Sequence, residues 1–116
     1  MKLYKRKDFI KLKAPIIYSR VDDNRSEFMY GLFCMTENWD VDWIEQDLIG
    51  EVGVPDDISD GFVALLYQIN LRDSFKEFTT DLECSGRDGM YDDDDVFVVW
   101  DKTDITKLRD YLNDCL

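Results

Sequence analysis

Asp92, Asp93, Asp94 and Asp95 stand in one unbroken run, with Asp88 just before it and Asp101 just after. Carboxylate oxygens at that density are hard ligands of the kind that hold magnesium or calcium, and an ion held there would polarise a phosphoryl group or activate a water. The chemistry to expect from such a site is divalent-metal-dependent phosphotransfer or nuclease-like cleavage. Two features weigh against it: the glycine and ligand positions of an EF-hand loop are missing, and catalytic carboxylates usually come from separate elements rather than from one tetrad. The run reads first as a solvated acidic loop, with Arg87 beside Asp88 as its internal counter-charge.

Other chemistries fall away by composition. There is no histidine in the 116 residues, which removes the commonest general base at neutral pH and the commonest zinc ligand, and with them the serine–histidine and cysteine–histidine hydrolases. Cys34, Cys84 and Cys115 are odd in number and widely spaced, with no Cys-x-x-Cys. They read as reduced thiols rather than a disulfide framework, and they supply no tetrahedral zinc site. No cofactor is expected.

The second constellation is larger. Twenty aspartates and six glutamates face fourteen lysines and arginines, for a net charge of -12. Six of those bases (Lys2, Lys5, Arg6, Lys7, Lys11, Lys13) lie in the first 13 residues against Asp8 alone, so the remaining 103 residues carry eight bases and 25 acids, net -17. Twelve acids, Asp22, Asp23, Glu27, Glu37, Asp40, Asp42, Glu45, Asp47, Glu51, Asp56, Asp57 and Asp60, fall within 39 residues, with only Arg20 and Arg25 near them. A surface of that kind repels phosphate and attracts a basic partner. Carboxylates spaced on a rigid sheet can occupy a channel lined by Lys and Arg for nucleic acid, whose duplex carries one charge per roughly 1.7 Å of axis. Acidic faces also serve simply to solubilise. Trp39 and Trp43 sit among these acids, and aromatic anchors ringed by charge are what an interface core contains, although burial of both indoles in the protein core is the plainer reading. The candidate partner-binding residues are therefore Glu37, Trp39, Asp40, Asp42, Trp43, Glu45, Asp47, Glu51, Asp56 and Asp57.

The elements that must carry these residues follow from spacing. Residues 6–13 suit a short helix stopped by Pro15. Residues 16–21 and 28–35, rich in β-branched and aromatic types, predict a hairpin. Residues 39–52 fit both a helix and a strand. Gly50 and Asp40, Asp42 and Asp47 favour the strand, which would set Trp39, Val41 and Trp43 on one face and carboxylates on the other and supply residues 43–49 to the sheet. Phe62, Leu65, Leu66 and Ile69 give a helical apolar face over 60–69, and residues 70–95 show no clear element, with a surface loop over 85–95. Residues 96–100 read as a buried strand. Asp104 is the expected N-cap of a helix running to 114, with Ile105, Leu108 and Leu112 on one face. The whole predicts one α+β domain over 1–116: a small, mostly antiparallel sheet with two or three helices packed on it. The chain is too apolar to be disordered, with 45% hydrophobic residues and sixteen aromatics, and it contains no run long enough to span a bilayer and no signal-peptide core. A soluble cytoplasmic protein with no membrane or direct nucleic-acid partner is expected.

Two stretches resemble a group of small uncharacterised phage and prophage proteins. One is Lys2-Leu3-Tyr4-Lys5-Arg6-Lys7-Asp8-Phe9-Ile10-Lys11-Leu12 followed by Ile17-Tyr18-Ser19; the other is Arg87-Asp88-Gly89-Met90-Tyr91-Asp92-Asp93-Asp94 with Val96-Phe97-Val98-Val99-Trp100. Lys13-Ala14-Pro15 departs from the proline–glycine turn more usual at that point. The resemblance implies phage origin and a host-cell cytoplasm, and assigns no activity. Joined to the acidic face, it leads to the expectation of a non-enzymatic inhibitor of a basic, nucleic-acid-handling host defence protein, a DNA mimic of the anti-restriction or anti-CRISPR type. The metal-dependent enzyme and a phage structural or assembly factor are the alternatives.

Overall fold

β-Branched and aromatic residues fit a pleated, half-buried surface, and the two stretches richest in them pair as expected: β2 (Ile16–Val21) and β3 (Met29–Asn38) run antiparallel. The computed structural model describes residues 1–21, 28–49, 51–52, 80–81, 85–88 and 91–116. Six of its strands form one antiparallel sheet. Beside β3 lies β4 (Trp43–Asp47), and beyond it β7 (Ser85–Asp88); on the other side of β2 lie β8 (Val96–Val99) and then β1 (Lys2–Lys5), giving the order β1-β8-β2-β3-β4-β7. Two short strands, β5 (Glu51–Val52) and β6 (Thr80–Asp81), pair separately. Two helices are described, α1 (Arg6–Phe9) and α2 (Lys102–Asp114). The arrangement is α+β and mostly antiparallel, with its predicted strand segments in place; the helix expected over 60–69 lies outside the described residues.

Four local expectations are corrected. The N-terminal segment is a strand followed by a single helical turn, because the apolar β8 takes Lys2–Lys5 as its outer neighbour before the chain turns. Ser85–Asp88 is a strand rather than part of a loop, since its main chain completes the outer ladder of β4. The last strand stops at Val99, leaving Trp100 outside it. Asp101, not Asp104, caps α2: its carboxylate accepts from the Asp104 N–H at 2.9 Å while Asp104 accepts from the Asp101 N–H at 3.1 Å, a reciprocal capping box.

The core lies on the α1 face of the sheet. Phe9, Ile10, Tyr18, Phe33, Met35, Trp43 and Phe97 are buried there, with Tyr4, Leu12, Ile16, Tyr91 and Val99 packed against them. Phe9 stacks on Phe97 at 4.5 Å between centroids and meets Tyr18 and Trp43 edge-on at 4.9 and 5.2 Å, while Trp43 stacks on Tyr91 at 5.7 Å. Such pairs add stability beyond the area they bury. Two irregularities in β3 set which side chains reach this core. Near Gly31 the register with β2 slips by one, and Gly31 adopts φ 73°, the left-handed conformation that glycine tolerates best. A β-carbon there would clash with the edge of the Phe33 ring. Near Thr36 the register with β4 slips again, so that Met35 and Asn38 share the core face. On the opposite face, Ile17, Leu32 and Leu48 line a groove of about 320 Å³ with Ile105, Leu108 and Leu112 of α2.

Candidate interaction site at the β3–β4 hairpin

Between Asn38 and Trp43 the chain reverses through Trp39, Asp40, Val41 and Asp42, closed by a 2.8 Å bond from the Trp39 N–H to the Asp42 carbonyl. The tip is apolar at the ends of its side chains and acidic around them. Trp39 is 43% exposed and Val41 67% exposed, and Glu37 and Asp40 are exposed beside them.

This tip is held from three sides. The Asn38 side-chain amide donates to the carbonyls of Ile10 and Leu12 at 2.6 and 2.8 Å, tying the hairpin to the segment after α1. The buried Arg6 guanidinium donates to the Val41 carbonyl and pairs with Asp93 at 3.2 Å. Behind the tip, the buried Asp42 carboxylate accepts from Arg87 Nε of β7, and the same guanidinium lies 5.5 Å from the Trp39 ring centroid, close enough for a cation–π attraction. Arg87 itself is 71% exposed, so the pair remains in contact with solvent.

Of the ten residues expected at a partner-binding face, Glu37, Trp39 and Asp40 are brought together at the tip, and Asp42 braces it from within. Trp43 is not an exposed anchor. It is fully buried, and its indole N–H donates to the Tyr18 hydroxyl at 3.0 Å. Nor does β4 separate its aromatic from its acids. Trp43 and Glu45 are two residues apart and therefore share the core face. The Glu45 carboxylate accepts from the Tyr18 hydroxyl and pairs with Arg20 at 2.5 Å. Burial first, then the adjacent Glu45 charge, pushes the Tyr18 phenol well above the ordinary tyrosine range, so it serves as a donor and not as a base. Asp47 lies further along β4, its carboxylate accepting from the Ile49 N–H at 2.9 Å. Glu51 contributes main chain to β5; its side chain, and all of Asp56 and Asp57, lie outside the described residues.

The acidic run is a turn. The Asp95 N–H donates to the Asp92 carbonyl at 3.0 Å, and the Asp95 carboxylate accepts from the Asp92 N–H at 2.9 Å. Asp93 pairs with Arg6, Asp94 pairs with Lys5 at 3.2 Å, and Asp88 sits in β7 opposite Trp43. The basic N-terminal segment thus folds back on the acidic body. A cation bridging Asp93 and Asp94 would compete with Arg6 and Lys5, and among the described residues no three acidic or cysteine side chains gather as a metal site needs.

Sequence reasoning missed Val41, Arg87, Arg6 and Asn38 as parts of this site. Val41 carried the only available signal, an aliphatic residue flanked by two aspartates. The other three act through contacts across 28 to 45 residues of chain, which spacing alone does not show. Among the described residues no helix is long and apolar enough to cross a membrane. No protein-family model, curated protein or solved structure matches the chain.

Proposed function

We propose that this protein is a non-enzymatic binding protein that seats its β3–β4 hairpin in a basic, nucleic-acid-handling host protein and inhibits it by occluding the groove that nucleic acid would fill. The observation that carries this reading is Trp39: a large aromatic left 43% exposed, beside an exposed Val41, on a tip fixed by Asn38, Arg6 and Arg87. Exposed tryptophan on a rigid support loses little conformational freedom on binding, and tryptophans buried at an interface centre dominate binding energies. Glu37 and Asp40 around it, within a strongly acidic chain, supply the steering field toward a cationic partner. The phage setting rests on the resemblance carried by residues 2–12, 17–19, 87–94 and 96–100, and the DNA-mimic mode on the density of acids.

The test is capture from host lysate on the immobilised chain, washed at low and then high salt, with bound proteins identified by mass spectrometry. The expected result is one basic nucleic-acid-binding complex, released by salt, retained by Tyr111→Phe and lost with Trp39→Ala or Asp40→Asn. Capture that ignores salt and both substitutions, or no capture, would overturn the proposal.

A further inference from the structure

The opposite end of the sheet carries a second surface, independent of the hairpin. Among the described residues β1 is the outermost strand there, paired only with β8. The ladder fixes which of its main-chain groups are spoken for. The Arg6 N–H donates to the Asp95 carbonyl at 2.7 Å, in the same register that sets Tyr4 opposite Phe97 and Lys2 opposite Val99. Hydrogen-bonded pairs alternate along an antiparallel ladder, so Lys2 and Tyr4 direct their main-chain groups, and Arg6 its N–H, at β8, while Leu3 and the Lys5 N–H point away from the sheet; the Arg6 carbonyl accepts from Ile10, and the Lys5 carbonyl opens α1 as its N-cap.

Side chains complete the surface. Leu3 is 53% exposed and, with Met1, Phe28, Met29 and Val98, lines a shallow hollow of about 230 Å³. The strand is basic at both ends: Lys2 is exposed, its ammonium 5.2 Å from the Tyr4 ring, and Lys5 is exposed and shares its ammonium with Asp94. The neighbouring acids Asp101 and Asp104 are engaged by the Met1 amine at 2.8 and 2.7 Å. Lysines on an edge strand repel a second copy of the same edge. They also complement a strand of opposite charge.

The geometry points to β1 as a docking edge for an acidic, extended peptide segment of another protein, added as a seventh strand. Its main chain would bond to the outward N–H and carbonyl of Leu3 and to the outward N–H of Lys5. Alternation would place its apolar side chains on the Leu3 face over the hollow and its carboxylates on the Lys2 face.

The probe is a blocked octapeptide of alternating glutamate and valine, titrated into the ¹⁵N-labelled full chain, with a lysine–valine octapeptide as its counterpart. The Leu3 and Lys5 amides are expected to shift and to gain protection from hydrogen exchange, while the Tyr4 amide, already bonded to β8, stays protected throughout. Lys2→Glu should weaken the acidic probe about fivefold, the scale of one reversed surface charge pair, and narrow its advantage over the basic one. Leu3→Pro removes an outward N–H that the β8 ladder does not use, so it should abolish binding with the Tyr4 and Phe97 amides still protected. The proposal is overturned if the Leu3 and Lys5 amides do not respond, if both peptides bind equally, or if the same amides shift on raising the protein concentration alone, which would make a second copy the occupant.

Discussion

Replacing Tyr18 by phenylalanine removes one oxygen and tests whether Glu45 belongs to the interior. The hydroxyl is fully buried, accepts from the Trp43 indole and donates to Glu45. Losing the bond to a charged group costs about 1.5–3 kcal/mol, and stranding the indole N–H costs about 1–3 kcal/mol more. Against these, the folded state no longer buries a hydroxyl, a relief of about 1–2 kcal/mol. The net expectation is a loss of about 3 kcal/mol, a large share of the roughly 5–15 kcal/mol that stabilises a domain. For a chain of this size it corresponds to a fall of about 12 °C in Tm. Urea unfolding followed by intrinsic fluorescence and extrapolated linearly to water reads this directly. Tyr111→Phe, at a 73% exposed position, is the control and should change stability by no more than about 0.5 kcal/mol. A loss below about 1 kcal/mol for Tyr18→Phe would show that water reaches the hydroxyl and would return Glu45 to the surface.

Gly31→Ala should cost about 2–4 kcal/mol in the same assay, because it combines a left-handed backbone with a β-carbon driven into the Phe33 ring; an unchanged midpoint would contradict the packing described. The Met1 amine, raised above 8.0 by the hydrogen bonds it donates to Asp101 and then Asp104, steadies the start of α2 below pH 8, and that contribution disappears as pH rises through the raised value. Asp101, held at about 2 mainly by the same amine, contributes above pH 3.8 and stops contributing as pH falls through about 2. Chemical shifts of the Asp104 amide against pH should show both transitions, and an Asp101 carboxyl titrating near 3.8 would refute the contact. Burial pushes the Cys34 thiol up, whereas Cys115 is exposed, so maleimide at neutral pH should label Cys115 well before Cys34, as read by peptide mass mapping. Equal rates would mean that β3 is open at Cys34.

What the sequence made legible was its strongly patterned part. The hairpin of β2 and β3, the strand character of β4 and β8 and the C-terminal helix all follow from side-chain type and period. The short outer strands did not, since Lys2–Lys5 and Ser85–Asp88 have unremarkable strand propensity and owe their form to the ladders offered by β8 and β4. The candidate site was legible at Trp39, Asp40 and Glu37. It was misread at Trp43 and Glu45 because a carboxylate in sequence looks solvent-bound until its partners are known, and those partners, Tyr18 and Arg20, come from a strand more than twenty residues earlier.

The pairing of β1 with β8 also dictates when this chain can fold. Phe9, at the centre of the aromatic core, stacks on Phe97, and among the described residues Lys2–Lys5 find their ladder in Val96–Val99. A ribosome adding about 5–20 residues per second leaves the first segment waiting roughly 5–20 s for that partner to be made. Throughout that interval Tyr4 and Phe9 lack their final cover, and Lys2, Lys5, Lys7 and Lys11 surround them with charge. The tip that carries Trp39 is braced by Arg6 from the first segment and by Arg87 from far along the chain, so it gains its full support only after Arg87 has been made.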